Sequence, residues 1–163
     1  METMHNSFNK PLFIKLENYN ENSYINIGYI NYIKEITRSD ETDPEKVYIS
    51  YLGSSFKYEQ RYKDIKQQIK SKLKFFPNKN FIEIPVYYGS LHFLNNKQYH
   101  LFIDKNIIYK CHVNKSDMLQ KVENGKLVPV YFYTIDIYYF GVYESISFYQ
   151  SESFIENILF NVS

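Results

Sequence analysis

Helical spacing is clearest in one stretch of this chain, RYKDIKQQIKSKLK from Arg61 to Lys74. At about 100° per residue, Tyr62, Ile65, Ile69 and Leu73 share an arc of roughly 80°, and Lys63, Lys66, Lys70 and Lys74 share another. One stripe is apolar and one is basic, and Phe75-Phe76-Pro77-Asn78 ends the segment. Most of the remaining apolar spacing is that of strands, so a sheet must supply the bulk of the fold.

LFIKLEN (Leu12 to Asn18) sets Leu12, Ile14 and Leu16 on one face, with Lys15 and Glu17 on the other. Asn18 to Ser23 reads as a hairpin loop and Tyr24 to Ile27 as the returning strand. In YINIGYINYIKEI (Tyr24 to Ile36) the isoleucine spacing changes from two to three, which predicts a kink or single turn over Gly28 to Asn31 and a new strand near Tyr32. Ser39 to Val47 reads as an acidic loop around Asp43-Pro44. Lys46 to Glu59 gives two strands about Leu52-Gly53-Ser54-Ser55. Further on, Phe81 to Leu94 and Gln98 to Asp104 flank the turn Asn95-Asn96-Lys97, and Ile107 to Val113 continues them as a meander. Ser116 is placed to cap a short helix from Asp117 to Glu123, with Met118, Leu119 and Val122 inward and Asn124-Gly125 as its end. Val128 to Tyr143 is the longest strand-like run, and Glu144 to Tyr149 pairs back on it. Ser153-Phe154-Ile155-Glu156 reads as a capping box opening a last helix, with Ile155, Ile158 and Leu159 inward.

Composition agrees with sheet. The chain has 163 residues, 18 Tyr, 13 Phe and no Trp, and aromatic and β-branched side chains fit a pleated surface. Ile, Asn, Lys and Tyr also have AT-rich codons, so the bias alone carries little. The single cysteine, Cys111, rules out an internal disulfide framework and suits a reducing compartment. Without a secretory signal or an unbroken apolar run of membrane-spanning length, a cytoplasmic protein with no membrane association is expected. Net charge is +1, distributed unevenly: after Lys126 there is no Lys or Arg, only Asp136, Glu144, Glu152 and Glu156.

The fold class that follows is α+β, mostly antiparallel sheet with two or three short helices. It reads either as two tandem ββββα-like modules, 12–76 and 81–163, or as both packed into one domain. The segments FIKLEN (13–18), YINIGYINYI (24–33) and VYISYLGSSFKYEQRYKDIKQQI (47–69) resemble, in order and apolar spacing, the small flagellar and swarming-motility D proteins. That resemblance implies a compact α+β module that acts without catalysis, through contact with other proteins. A shift of 90 residues also sets Val47, Phe56, Tyr58 and Ile69 against Ile137, Ile146, Phe148 and Leu159, with Tyr48/Tyr138, Ser55/Ser145, Gln60/Gln150 and Ile65/Ile155 identical. Both duplication and chance similarity of two sheet-then-helix ends account for it.

No glycine-rich phosphate cradle is available among the five glycines. If Tyr99 to Ile103 pairs with Ile107 to Val113, His100 lies near Lys110 or Cys111, which raises a zinc site or a Cys-His nucleophile, with His92 and His112 nearby. Adjacent Cys111 and His112 point to opposite strand faces, so a packed thiol with a solvated imidazole is the plainer account. Asp136, within YTIDIYY, is the acid whose neighbours imply burial. No catalytic residue, cofactor or metal is expected.

Two functions remain in view. The first is a non-catalytic protein-binding regulator or inhibitor from an AT-rich bacterium or phage, such as an anti-defence (anti-CRISPR-like) protein, occupying a partner's basic surface with Tyr131, Tyr133, Asp136, Tyr139, Glu144, Tyr149 and Glu152. The second is a single-stranded RNA- or DNA-binding module using Lys63, Lys66, Lys70 and Lys74.

Overall fold

The structure is a computed structural model, and it describes residues 12–18, 20–35, 46–87, 99–139 and 141–160. The N-terminal residues, most of the acidic loop, the turn at 95–97 and His92 lie outside the described residues.

The protein is α+β and mostly antiparallel sheet. Strands β1 (Phe13–Asn18) and β2 (Glu21–Asn26) form a hairpin, a 3-10 turn follows at Ile27–Tyr29, and β3 (Ile30–Glu35), β4 (Val47–Tyr51) and β5 (Ser54–Tyr58) lead to helix α1 (Tyr62–Lys72). Then come β6 (Phe81–Val86), β7 (Tyr99–Asp104), a 3-10 turn at Lys105–Ile107, β8 (Ile108–Glu123), β9 (Lys126–Tyr139), β10 (Val142–Gln150) and helix α2 (Glu152–Phe160). A central five-stranded sheet has the order β5-β4-β3-β7-β6, and a three-stranded sheet has the order β10-β9-β8. Two backbone hydrogen bonds between Tyr87 and Tyr149, 3.1 and 2.9 Å, join the end of β6 to β10.

Two cores form. The first packs Ile14 and Leu16 of β1, Ile25, Ile30, Ile33, Val47 and Ile49 beneath Tyr62, Ile65 and Ile69 of α1, so the expected helical stripe is the buried one. The second packs Ile84, Val86, Leu101 and Ile103 of β6 and β7 against Ile135, Ile137, Ile146, Phe148 and Ile155. Each aliphatic side chain buried this way contributes about 1.5–3 kcal/mol relative to exposure. Each core also takes a ring from across the central sheet: Phe102 of β7 enters the first, and Tyr32 of β3 enters the second.

The same sequence of five strands and a helix is thus run twice, down to small details. Phe13 pairs with Asn26 and Phe81 with Asp104. Asn26 and Asp104 each cap the following 3-10 turn, accepting from Gly28 N and Asn106 N. Ile27 N donates to Leu12 O at 2.9 Å, and Lys105 N to Asn80 O at 2.7 Å. A bulge interrupts β3 between Ile30 and Tyr32, and β8 between Ile108 and Lys110. Gln60 accepts from Glu17 N of β1, whereas Gln150 donates to Pro85 O of β6, since proline has no N–H to offer. These marks keep the Ser55/Ser145, Gln60/Gln150 and Ile65/Ile155 correspondences. Val47, opposite Tyr58, answers to Tyr133, opposite Phe148, and not to Ile137, because β9 and β10 form a longer hairpin than β4 and β5.

Three local expectations are corrected. Asp117 to Glu123 is not a helix but the outer part of β8. Asn124 and Gly125, at φ 52° and 76°, form the two-residue turn of a β-hairpin whose twist suits the strands on either side. β7 does not continue the meander into β8: it pairs with β3 and β6, while β8 pairs with β9. Helix α2 begins at Glu152, so Ser153 lies inside its first turn and does not cap it.

Candidate interaction surface

From Tyr133 to Tyr138 of β9, odd-numbered residues face the second core and even-numbered ones face out, because side chains alternate along a strand; nearer the β8–β9 turn the even-numbered Val130 is buried as well. Tyr133, Ile135 and Ile137 are buried, while Thr134, Asp136 and Tyr138 lie on the opposite face. Across the ladder, Tyr138 sits opposite Tyr143, Asp136 opposite Ser145 and Lys110, and Thr134 opposite Ser147 and His112. Ser145 donates to Asp136 at 2.6 Å and His112 lies 3.5 Å from it; Thr134 and Ser147 share a hydrogen bond at 3.0 Å. The outer face is therefore a hydroxyl-rich strip ending in aromatic rings.

Those rings are Tyr109, Tyr138 and Tyr143, which are 55%, 45% and 69% exposed. Tyr143 meets Tyr138 at 4.8 Å between centroids and Tyr109 edge-on at 5.7 Å. Tyrosines in mutual contact hold one another in place while leaving their outer surface open. Beside them, the turn Leu52-Gly53 presses against Val142, so closely that a Cβ on Gly53 would fall 2.7 Å from a Val142 methyl. Leu52 itself is exposed and has φ 50°, a left-handed conformation that costs a leucine about 1–2 kcal/mol. Leu52 and Val142 on the inner side and Tyr143, Tyr138 and Tyr109 on the outer side together form a ledge that wraps the ends of two hairpins.

The residues expected to make a contact face are mostly employed within the chain. Tyr133 is in the second core, and Tyr131 packs against that core with Lys115 over its ring. Tyr139 donates to Gly28 O at 2.6 Å, and Lys79 lies over its ring. Tyr149 is buried against Phe132 and donates to Asp117 at 2.7 Å. Glu144 points at the central sheet, where it accepts from Tyr32, from Ser50 at 2.9 Å and from Ser55 at 3.1 Å. Burial first, and this hydrogen bond second, push the Tyr32 hydroxyl pKa well up. Glu152 pairs with Lys115 at 2.8 Å. Of the expected residues Asp136 and Tyr149 have the strand parity of the outer face, and Tyr149 is covered there by Phe132 and Asp117. The signal that finds the exposed rings is parity: Tyr131, Tyr133 and Tyr139 share the face of Ile135 and Ile137, whereas Tyr138 does not.

The basic stripe of α1 is also partly committed. Lys63, Lys70 and Lys74 are exposed, but Lys66 pairs with Glu83 and lies over the ring of Phe102. Around that pair is a cleft of about 400 Å³ lined by Glu35, Arg61, Tyr62, Lys63, Lys66, Glu83 and His100. Its groups satisfy one another. His100 bonds Glu35 and stacks on Tyr62, and Glu83 accepts from Lys66 and from Tyr62 at 2.8 Å, which holds the Glu83 carboxyl below its ordinary pKa despite burial. This network seals α1 over the junction of β3, β7 and β6.

His100 and Cys111 belong to different sheets, so the expected imidazole–thiol meeting does not form. Cys111 faces the second core, and burial, with Asp136 adding to it, pushes its thiol pKa up, away from the thiolate that a nucleophile or metal ligand needs. Among the described residues no three His, Cys, Asp or Glu side chains gather as metal ligands, and no helix is long and apolar enough to cross a membrane. No family model, curated protein or solved structure matches the chain.

Proposed function

We propose that this protein is a non-catalytic binding regulator or inhibitor that acts by seating its ledge of Leu52, Val142, Tyr143, Tyr138 and Tyr109 on another protein. The observation that carries this reading is the contact of Tyr143 with both Tyr138 and Tyr109, all three exposed, on a hairpin whose Val142 meets the strained turn that bears the exposed Leu52. Tyrosine gives large contact area for little side-chain entropy, and such rings dominate binding energy at protein interfaces. Backbone strain kept at an exposed apolar residue does nothing for the fold and is commonest where a surface has a task. The mixed charge of the neighbouring strip, with Asp136 beside Lys110 and His112, sets the orientation of a partner more than its affinity.

The test is a paired capture from host lysate with the natural chain and a Tyr138→Ala/Tyr143→Ala variant. The expected result is a protein retained by the first and lost at least tenfold by the second, with both chains melting alike. Equal retention by both sinks the reading. So does retention of nucleic acid whose affinity falls steeply with salt, which instead assigns the function to Lys63, Lys70 and Lys74.

A further inference from the structure

Among the described residues, the strand pair that joins the two halves is β3 with β7, where Tyr32 lies opposite Ile103, Ile33 opposite Phe102 and Lys34 opposite Leu101. The junction buries Phe102 to 3% exposure, stacked on Phe81 at 4.9 Å and covered by Lys66, which is bound to Glu83. Because the halves repeat, each of these parts has a counterpart. β8 is the counterpart of β3 and β2 that of β7. Counting from the matched caps, bulges and helix residues, Cys111 answers to Ile33 and Tyr24 to Phe102, while Lys15 answers to Glu83 and Glu156 to Lys66.

These counterparts are not joined to each other. Among the described residues β2 pairs only with β1 and β8 only with β9, so each has an open edge. Tyr24 is 63% exposed where Phe102 is buried. Lys15 and Glu156 are both exposed, and their charges are reversed relative to Glu83 and Lys66, so the pair remains complementary. An open strand edge with an outward aromatic ring is a template for another strand.

We propose that a second copy of this chain lays its β2 along β8, repeating between molecules the junction that β3 and β7 make within one. The second copy's Tyr24 then sits opposite Cys111, its Ile25 opposite Lys110 and its Ser23 opposite His112, and its Lys15 reaches Glu156 on α2. The contact is head-to-tail, so a joined pair keeps one open edge of each kind and assembly continues until a ring closes or a filament grows. The tyrosine ledge stays on the face of the sheet, and this inference does not depend on its role.

Sedimentation of the full chain over a concentration series tests it. The expected record is a mass that rises with concentration, an association weakened about tenfold by Lys15→Glu and by Glu156→Lys alone, and recovery when the two variants are mixed, since each then meets an opposite charge. In a second arm, Tyr24→Cys, at an exposed site that tolerates change, is oxidised mildly. A disulfide from the introduced thiol of one molecule to Cys111 of the next is expected, because directly opposed residues of antiparallel strands lie within disulfide reach. A monomer at every concentration, association indifferent to both charge reversals, or links formed only between two introduced thiols or between two Cys111 thiols overturns the proposal.

Discussion

The two halves use the same strand order to reach different ends. In the first, β3 and β4 are six and five residues long; in the second, their counterparts β8 and β9 run to 16 and 14 residues and carry Val122 and Leu127 out on an exposed arm. Caps, bulges and hairpin registers are shared, because they fix how a strand leaves one layer and enters the next. What is not shared is what lies beyond the cores: the tyrosine ledge, the arm, and the edge that β7 covers in one half and nothing described covers in the other. Features common to both halves are those the fold needs, and the departures are where the proposed contacts lie.

The strongest way to break the comparison is through the ring that crosses it. Phe102 belongs to a strand of the second half but is buried in the first core, so Phe102→Ala leaves a cavity and is expected to cost about 4 kcal/mol. Urea unfolding followed by circular dichroism should show a single transition at lower denaturant, the halves losing structure together. A second change separates the two caps. Asn26 only closes its turn, whereas Asp104 closes the other and also lies 3.5 Å from Lys79, whose buried ammonium donates to Ile30 O. Burial lowers the Lys79 pKa and Asp104 opposes that. Asp104→Asn keeps the cap but strands the charge, with an expected loss of about 3 kcal/mol. Asn26→Asp, with no such lysine to answer, should shift the same unfolding midpoint far less.

The sequence shows the strands and the first helix because both are written in local spacing. Ile65 and Ile69 announce their shared face at helical intervals, and the change of isoleucine spacing at Gly28 marks the corner where the 3-10 turn forms. Pairing across sequence distance is not written that way. Nothing local says that β7 prefers β3 to β8, so the expectation of His100 beside Cys111 gives way to His100 beside Glu35. Asn124-Gly125 misleads because the same dipeptide suits the end of a helix and the tip of a hairpin. Leu119, Lys121 and Val128 alternating about it are the better guide. Tyr131, Tyr133 and Tyr139 fail as contact residues by one residue of parity, which on a strand exchanges core for surface, whereas Tyr149 has the outer parity and is covered by Phe132 and Asp117.

The finest comparison lies between two turns of the same form. Leu52-Gly53 and Asn124-Gly125 both place two consecutive residues at positive φ, but asparagine accepts that conformation and leucine does not. Gly125 has open space around it, so Gly125→Ala pays only for backbone strain, about 1 kcal/mol, while Gly53→Ala also collides with Val142 and is expected to cost about 2 kcal/mol. The reverse change is the more telling. Leu52→Asn gives the first turn the residue the second already has, and thermal unfolding should show a gain of up to about 1 kcal/mol. If Leu52 is kept for contact, that more stable protein holds its partner less well than the natural chain, and a variant that gains stability with binding intact removes Leu52 from the ledge.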